Sequence, residues 1–151
     1  MFLFSELSYL GLFLSSFLAA TFLPFSSEVV ISLMQKNQYN LVLIVLIATI
    51  GNTLGGMFTF WIGFRGKLSW AQKFLRIDPK SINKFQKMIQ KYGALIAFFC
   101  WLPIFGDPLA LVLGYFKVNW RLVSCYMVIG KLLRYIALVS IIDKIRLDQL
   151  L

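Results

Sequence analysis

The chain has 151 residues, of which 60% are apolar and 17% aromatic, and it carries a formal net charge of +9. Soluble domains average about 45–50% apolar residues, so the composition excludes an ordinary soluble domain and predicts one integral membrane domain over residues 1–151. The sequence contains no histidine, which excludes histidine-based triads and histidine metal sites. We expect no metal site and no cofactor.

The first apolar stretch, residues 2–22, ends just before Pro24. It is either a short leading helix followed by a half-helix, or a single spanning helix that ends near the proline. Its start carries an acid rather than the positive region of a cleaved signal, so we expect it to be retained. After the proline, Ser26 or Ser27 can cap a half-helix that starts at Glu28, because an acid suits the positive end of a helix dipole.

The next apolar stretch, Leu41–Ile62, contains 22 residues without a formal charge. About 20 such residues are enough for a helix that crosses the bilayer. Gly51 and Gly55 lie four residues apart, so one helix face has no side chains and another backbone can approach it closely. Asn52 offers hydrogen bonds at this face and is a candidate site residue.

A basic linker follows over residues 64–93, with eight lysines and arginines and one acid, Asp78. Short basic loops stay in the cytoplasm, so we interpret the charge as a topology signal and expect no nucleic-acid partner. After Pro79, apolar residues at a spacing of three to four alternate with lysines. This pattern predicts an amphipathic helix on an anionic membrane surface, with a docked cytoplasmic partner as the alternative.

A broken apolar run follows over residues 94–116. Pro103 does not fit inside a straight helix, and Asp107 with Pro108 resembles an N-cap and the first helical position of a new helix. Two half-helices of about nine residues, roughly 13 Å each, are too short to cross a core of about 30 Å. A break at mid-depth requires protein or a water-filled cavity around it.

The last apolar run, Leu122–Ile142, contains two basic residues, Lys131 and Arg134, which share a helix face. A cation at mid-membrane costs roughly 2.5–3.5 kcal/mol, so both must face partners or water. Glu28 and Asp107 are the acids inside the apolar runs that can neutralise them. Ionisable residues within the membrane favour a functional site over a purely structural ion pair.

A motif of Leu-Pro, three residues and an acid occurs twice, at an offset of 79 residues. We interpret it as an internal repeat with the following boundaries: repeat 1 at about 15–63, the linker at 64–93 and repeat 2 at about 94–142.

The breaks also predict a topology. If each broken segment is a re-entrant hairpin, each repeat crosses the membrane once and the second repeat is inverted relative to the first. Lys117 then lies in the cytoplasm with the linker, whereas four simple spans would place it outside. The predicted fold is therefore an all-α polytopic membrane protein, built as an inverted repeat of a re-entrant hairpin plus a transmembrane helix, with a cytoplasmic amphipathic linker.

Three blocks resemble the DedA (VTT, or SNARE-associated) superfamily, and most closely its YqaA-like branch. They are Leu23–Val30; Gly51–Gly56 with Trp61–Arg65; and Trp101–Asp107 through Gly114, Asn119–Arg121 and Val128–Tyr135. The resemblance implies paired re-entrant hairpins in the bacterial cytoplasmic membrane. It also implies movement of lipids or lipid-linked phosphates, such as polyprenyl phosphates, between leaflets, with protons as a candidate coupling ion.

Two departures distinguish this chain from the better-studied DedA branch. That branch has an arginine shortly after the proline of the second hairpin, where this chain has Gly106 and Asp107, and an acid near Gly56 that is absent here. We therefore assign the cationic role to Lys131 and Arg134.

The expected function is a lipid transporter or scramblase whose partners are anionic lipid head groups. Lys131 and Arg134 would bind the anion, and helix N-termini at Ser27 and Asp107 would add oriented N–H groups. Glu28 and Asp107 would hold the cations when the site is empty and take up protons when lipid displaces them. The alternative is a non-transporting scaffold or assembly factor. We expect no enzymatic activity, because no activated nucleophile accompanies the acids; a homo-oligomer is a candidate state.

Overall fold

The computed structural model describes residues 2–21, 27–66, 79–102 and 105–148, and these residues form helices and turns. The helices are α1 (Phe2–Ala19), α2 (Ser27–Lys36), α3 (Leu41–Arg65), α4 (Pro79–Tyr92), a 3-10 helix (Gly93–Trp101), α5 (Gly106–Tyr115) and α6 (Trp120–Asp148). Two of them, α3 over Leu41–Arg65 and α6 over Trp120–Ile145, are long and apolar enough to cross a membrane. The prediction of an all-helical membrane protein is confirmed.

The remaining helices of the two broken segments are short. α2 and α5 have 10 residues each, or roughly 15 Å, and the 3-10 helix has nine, or roughly 18 Å at its longer rise. Each is shorter than a hydrocarbon core of about 30 Å. The predicted break residues Pro24 and Pro103 lie outside the described residues.

The start of α5 differs from the prediction. The helix begins at Gly106, and the residue at its N-cap position, Phe105, makes no side-chain capping bond. The prediction of Asp107 as N-cap is therefore wrong, and Pro108 is the third helical residue rather than the first. The shift is tolerated because the first four N–H groups of a helix have no partner within it, so a proline there removes no bond. The Asp107 side chain lies outside the described part of the structure.

The segments from α2 into α3 and from α5 into α6 have the same local structure, 79 residues apart. Two residues after the end of each short helix lies a non-glycine residue with positive φ, Gln38 at 59° and Lys117 at 53°. In each, the next N–H bonds back across the last turn, from Tyr39 to the Met34 carbonyl at 3.2 Å and from Val118 to the Leu113 carbonyl at 3.1 Å. This is the Schellman arrangement.

The long helices that follow start alike as well. The side chain of Asn40 accepts the N–H groups of Val42 and Leu43 at the start of α3. Asn119 accepts that of Arg121 at the start of α6. Asparagine is among the strongest N-cap residues, because its side-chain oxygen satisfies N–H groups that have no partner in the helix.

The chain divides into two compact units, the first formed by residues 1–55 and 131–151 and the second by residues 56–130. Each unit has its own apolar core. The core of the first unit contains Leu12, Ile31, Met34, Ile44, Ala48, Tyr135 and Val139. The core of the second contains Phe60, Ala94, Ile96, Ala97, Cys100, Ala110, Leu113, Val123 and Met127.

The linker helix α4 packs partly on protein. Met88 and Ile89 are partly buried against the core of the second unit, while Lys84, Lys87 and Lys91 are exposed. The predicted amphipathic pattern is therefore present. However, the apolar face near the end of α4 covers protein rather than resting only on a membrane surface, because the chain turns at Gly93 (φ +52) directly into the 3-10 helix.

Candidate functional site

The site in the first unit begins with a close crossing of α1 and α3. A Cβ added at Gly51 or Gly55 would meet the backbone carbonyl oxygen of Phe13 or Phe17, so only glycine allows this approach. The crossing brings the buried Asn52 against α1, where its Nδ2 donates to the Ser16 carbonyl at 3.0 Å.

Lys131 lies near the middle of the α6 span and is 2% exposed. Its Nζ donates a hydrogen bond to the backbone carbonyl of Asn52 at 2.5 Å. Burying an ammonium group is costly unless hydrogen bonds replace its water. The bond therefore holds a cation inside the first unit, next to the crossing of α1 and α3.

Glu28 and Arg134 form an ion pair, with the Arg134 Nη2 at 2.7 Å from the Glu28 Oε1. Glu28 is the second residue of α2, where a negative charge is also favoured by the helix dipole. The two side chains are 51% and 23% exposed, respectively. The pair is thus at the edge of the unit, accessible to a ligand that competes for the guanidinium group.

The hydroxyl of Tyr135, a residue that is 1% exposed, lies 3.2 Å from the Ser27 Oγ. At the other end of α2, the Gln35 Nε2 donates to the Val139 carbonyl at 3.2 Å. These two contacts hold the first and last turns of α2 against α6. They position the N-terminus of α2 beside the basic residues of α6.

We call Ser27, Glu28, Asn52, Lys131, Arg134 and Tyr135 the polar cluster. The hydroxyls of Thr49 and Thr53, both buried in α3, have no hydrogen-bond partner among the described residues. A buried polar group that lacks a partner costs about 1–3 kcal/mol and needs an explanation. Two cations and a helix N-terminus together suit an anion.

The VTT domain profile matches residues 23–144, a range that includes every residue of the polar cluster. The chain belongs to the VTT domain (DedA) family. This confirms the resemblance found in the sequence.

Several relatives of this VTT-domain chain cover most of its length. It is 35% identical over 135 residues to the inner membrane protein YqaA of Escherichia coli K12, covering 89% of this chain and 90% of YqaA. A Haemophilus influenzae protein is 35% identical over 137 residues, covering 84% of this chain and 82% of its own length. The Bacillus subtilis membrane protein YkoX is 31% identical, over 85% of this chain and 60% of YkoX.

No solved structure matches the chain. The similarity to YqaA, together with the two helices long enough to span a bilayer, places this VTT-domain protein in the inner membrane. The predicted location is confirmed.

The first unit of this VTT-domain protein contains five of the six residues predicted to bind substrate, all but Asp107, and its polar cluster includes all five. Asp107 belongs to the second unit, and its side chain lies outside the described part of the chain. Tyr135 was not predicted as a site residue. It follows Lys131 by four residues and so shares its helix face, a signal that could have identified it.

Proposed function

We propose that this VTT-domain protein moves a phospholipid or a lipid-linked phosphate, such as a polyprenyl phosphate, between the leaflets of the inner membrane. The observation that supports the proposal is a buried Lys131 and a partly buried Arg134 in a spanning helix, beside the N-terminus of α2. A phosphate head group cannot cross hydrocarbon without compensation of its charge. The polar cluster offers that compensation within the apolar part of the chain.

Each residue has a role in this mechanism. Arg134 binds the phosphate through two parallel hydrogen bonds, and Lys131 adds a point charge. The backbone N–H groups at Ser27 complete the anion site. Glu28 holds Arg134 while the site is empty and releases it when the phosphate binds, with protons as the candidate coupling ion. No covalent step is involved, so we propose a transporter without enzymatic activity.

The proposed architecture is an inverted repeat of two re-entrant hairpins, each followed by one transmembrane helix. The equal helix lengths and the equal turns at Gln38 and Lys117 support it. Lys131 and Asn52 are 79 residues apart, which is the offset of the repeat, so they are equivalent positions of the two repeats. They also contact each other, through the hydrogen bond from the Lys131 Nζ to the Asn52 carbonyl. Equivalent positions touch when they lie near a two-fold axis, and such an axis in the membrane plane relates inverted repeats.

Cysteine labelling tests this topology. We expect a Gln38→Cys variant, in a background without Cys100 and Cys125, to react with an impermeant maleimide on intact spheroplasts. Lys117→Cys should react only after permeabilisation, because re-entrant hairpins place its turn in the cytoplasm. Gln38 lies outside in both topologies and is therefore the positive control. Labelling of Lys117→Cys on intact spheroplasts would establish four simple spans instead.

Lipid translocation in proteoliposomes tests the function. We expect the wild type to move fluorescent phosphatidylglycerol between leaflets. Arg134→Ala should slow this translocation about tenfold, because it removes the charge-assisted hydrogen bonds of one guanidinium group. Arg121→Ala, at an exposed arginine of the same helix, should keep the wild-type rate.

A second candidate function is a non-transporting scaffold, because the Glu28–Arg134 ion pair also joins α2 to α6. For a scaffold, the wild-type protein would move no lipid in liposomes, and Arg134→Ala would lower the amount of folded protein. That pair of results would overturn the transport proposal.

A further inference from the structure

A groove of about 600 Å³ lies in the second unit. Its size is within the usual range of small-molecule sites, about 300–1,000 Å³. Its walls are apolar, and they come from three consecutive helical segments. The lining side chains include Met88 and Tyr92 of α4, Ile96 and Phe99 of the 3-10 helix, and Leu102 just after it.

One wall of the groove is straight. A 3-10 helix has three residues per turn, so side chains three positions apart are aligned along its axis. Ile96, Phe99 and Leu102 form such a row and all line the groove. A peptide placed here would leave its backbone N–H and C=O groups without partners, which is costly in an apolar site. An extended hydrocarbon chain has no such groups and fits a straight apolar wall.

The α4 end of the groove is positively charged. Lys91 places its Nζ 5.2 Å from the ring centroid of Tyr92, which lines the groove. Lys84 is exposed and lies one helical turn before Met88, on the same side of α4. The sequence of α4 contains four lysines and no acid. The charge at this end therefore suits an anionic group.

We propose that the groove binds one hydrocarbon chain of an anionic membrane lipid, whose head group lies against Lys84 and Lys91. This site belongs to the second unit and uses no residue of the polar cluster. It therefore does not depend on the proposed translocation. A lipid bound there joins α4, the 3-10 helix and α5 through its chain, and holds the lysine face of α4 at the membrane surface through its head group.

Native mass spectrometry of the purified full chain in detergent tests the proposal. The probes are phosphatidylglycerol and phosphatidylcholine with the same acyl chains. We expect the wild type to retain phosphatidylglycerol preferentially. The double variant Lys84→Gln and Lys91→Gln should lose this preference by about fivefold for each lysine, while Lys36→Gln, at an exposed lysine of the first unit, should keep it.

A second variant tests the groove itself. Leu95 lines the groove and is 51% exposed, so Leu95→Trp fills the groove without entering the core. It should reduce retention of both lipids. Arg134→Ala should retain phosphatidylglycerol as the wild type does, which separates this site from the polar cluster.

Two results would overturn the proposal. One is that the wild type retains the two lipids equally, and that neither the double lysine variant nor Leu95→Trp changes this retention, as expected for bulk lipid around any membrane protein. The other is a wild type that is a dimer and a Leu95→Trp variant that is a monomer, with equal lipid retention in both, which would make the groove an interface between two copies of the chain.

Discussion

Replacing Lys131 with glutamine should slow lipid translocation about 100-fold in proteoliposomes, near the upper end of what one hydrogen bond to a charged group contributes. The effect should exceed that of Arg134→Ala, because Lys131 is 2% exposed whereas the Arg134 side chain is 23% exposed, and charge interactions strengthen away from water. Glutamine retains an N–H donor for the Asn52 carbonyl. The substitution therefore removes the charge while keeping a hydrogen bond to the Asn52 carbonyl.

Two comparisons make this result interpretable. Lys144→Gln, at an exposed lysine of the same helix, should translocate lipid at the wild-type rate. Lys131→Arg keeps a cation at the site and should recover part of the activity that glutamine loses. Wild-type translocation by Lys131→Gln, at equal protein content in the liposomes, would exclude Lys131 from the head-group site.

Replacing Gly114 with alanine should destabilise the second unit by about 3 kcal/mol. A Cβ at Gly114 would overlap the backbone carbonyl oxygen of Phe60 on α3, and a Cβ at Gly63 would overlap that of Leu111 on α5. The two glycines thus face each other's helices at one crossing. Since backbone atoms cannot move aside as a flexible side chain can, the helices must separate, and overpacking of this kind costs about 1–3 kcal/mol or more.

The measurement is thermal unfolding of the purified protein in detergent, followed by circular dichroism and by loss of the monodisperse fraction. Gly11→Ala is the matched control, because a Cβ at Gly11, in α1, has no neighbour within 4 Å among the residues described. Alanine there should stabilise the helix by about 0.5–1 kcal/mol. Equal stability of Gly114→Ala and the wild type would show that the crossing can widen without cost.

The local structure was largely predictable. The spans at Leu41 and Leu122 were recognised from their apolar length, and α3 and α6 begin at or within two residues of them. The start of α5 was predicted two residues too late, because Asp-Pro is a strong start signal that also fits the first turn of a helix. The 3-10 helix was not predicted, since its residues, Gly93–Trp101, have no pattern that separates three from 3.6 residues per turn.

The candidate site was only partly predictable. Charged residues inside apolar runs have a high free-energy cost in a membrane, and this cost identified Glu28, Lys131 and Arg134 as site residues. The sequence did not say which acid would meet which base. In the structure Arg134 pairs with Glu28, and Lys131 bonds to a backbone carbonyl, an acceptor that every residue has and that no composition pattern can reveal.

The sequence by itself determined the membrane class and the positions of the two spanning helices, because hydropathy depends on residues within a few positions of each other. Only the tertiary structure decided the contacts between residues far apart in the chain. Among them are the contacts of Lys131 with Asn52, Glu28 with Arg134, Ser27 with Tyr135 and Gln35 with Val139. These contacts depend on how closely helices approach. At the crossing of α1 and α3 this distance is set by Gly51 and Gly55, which face the backbone of α1.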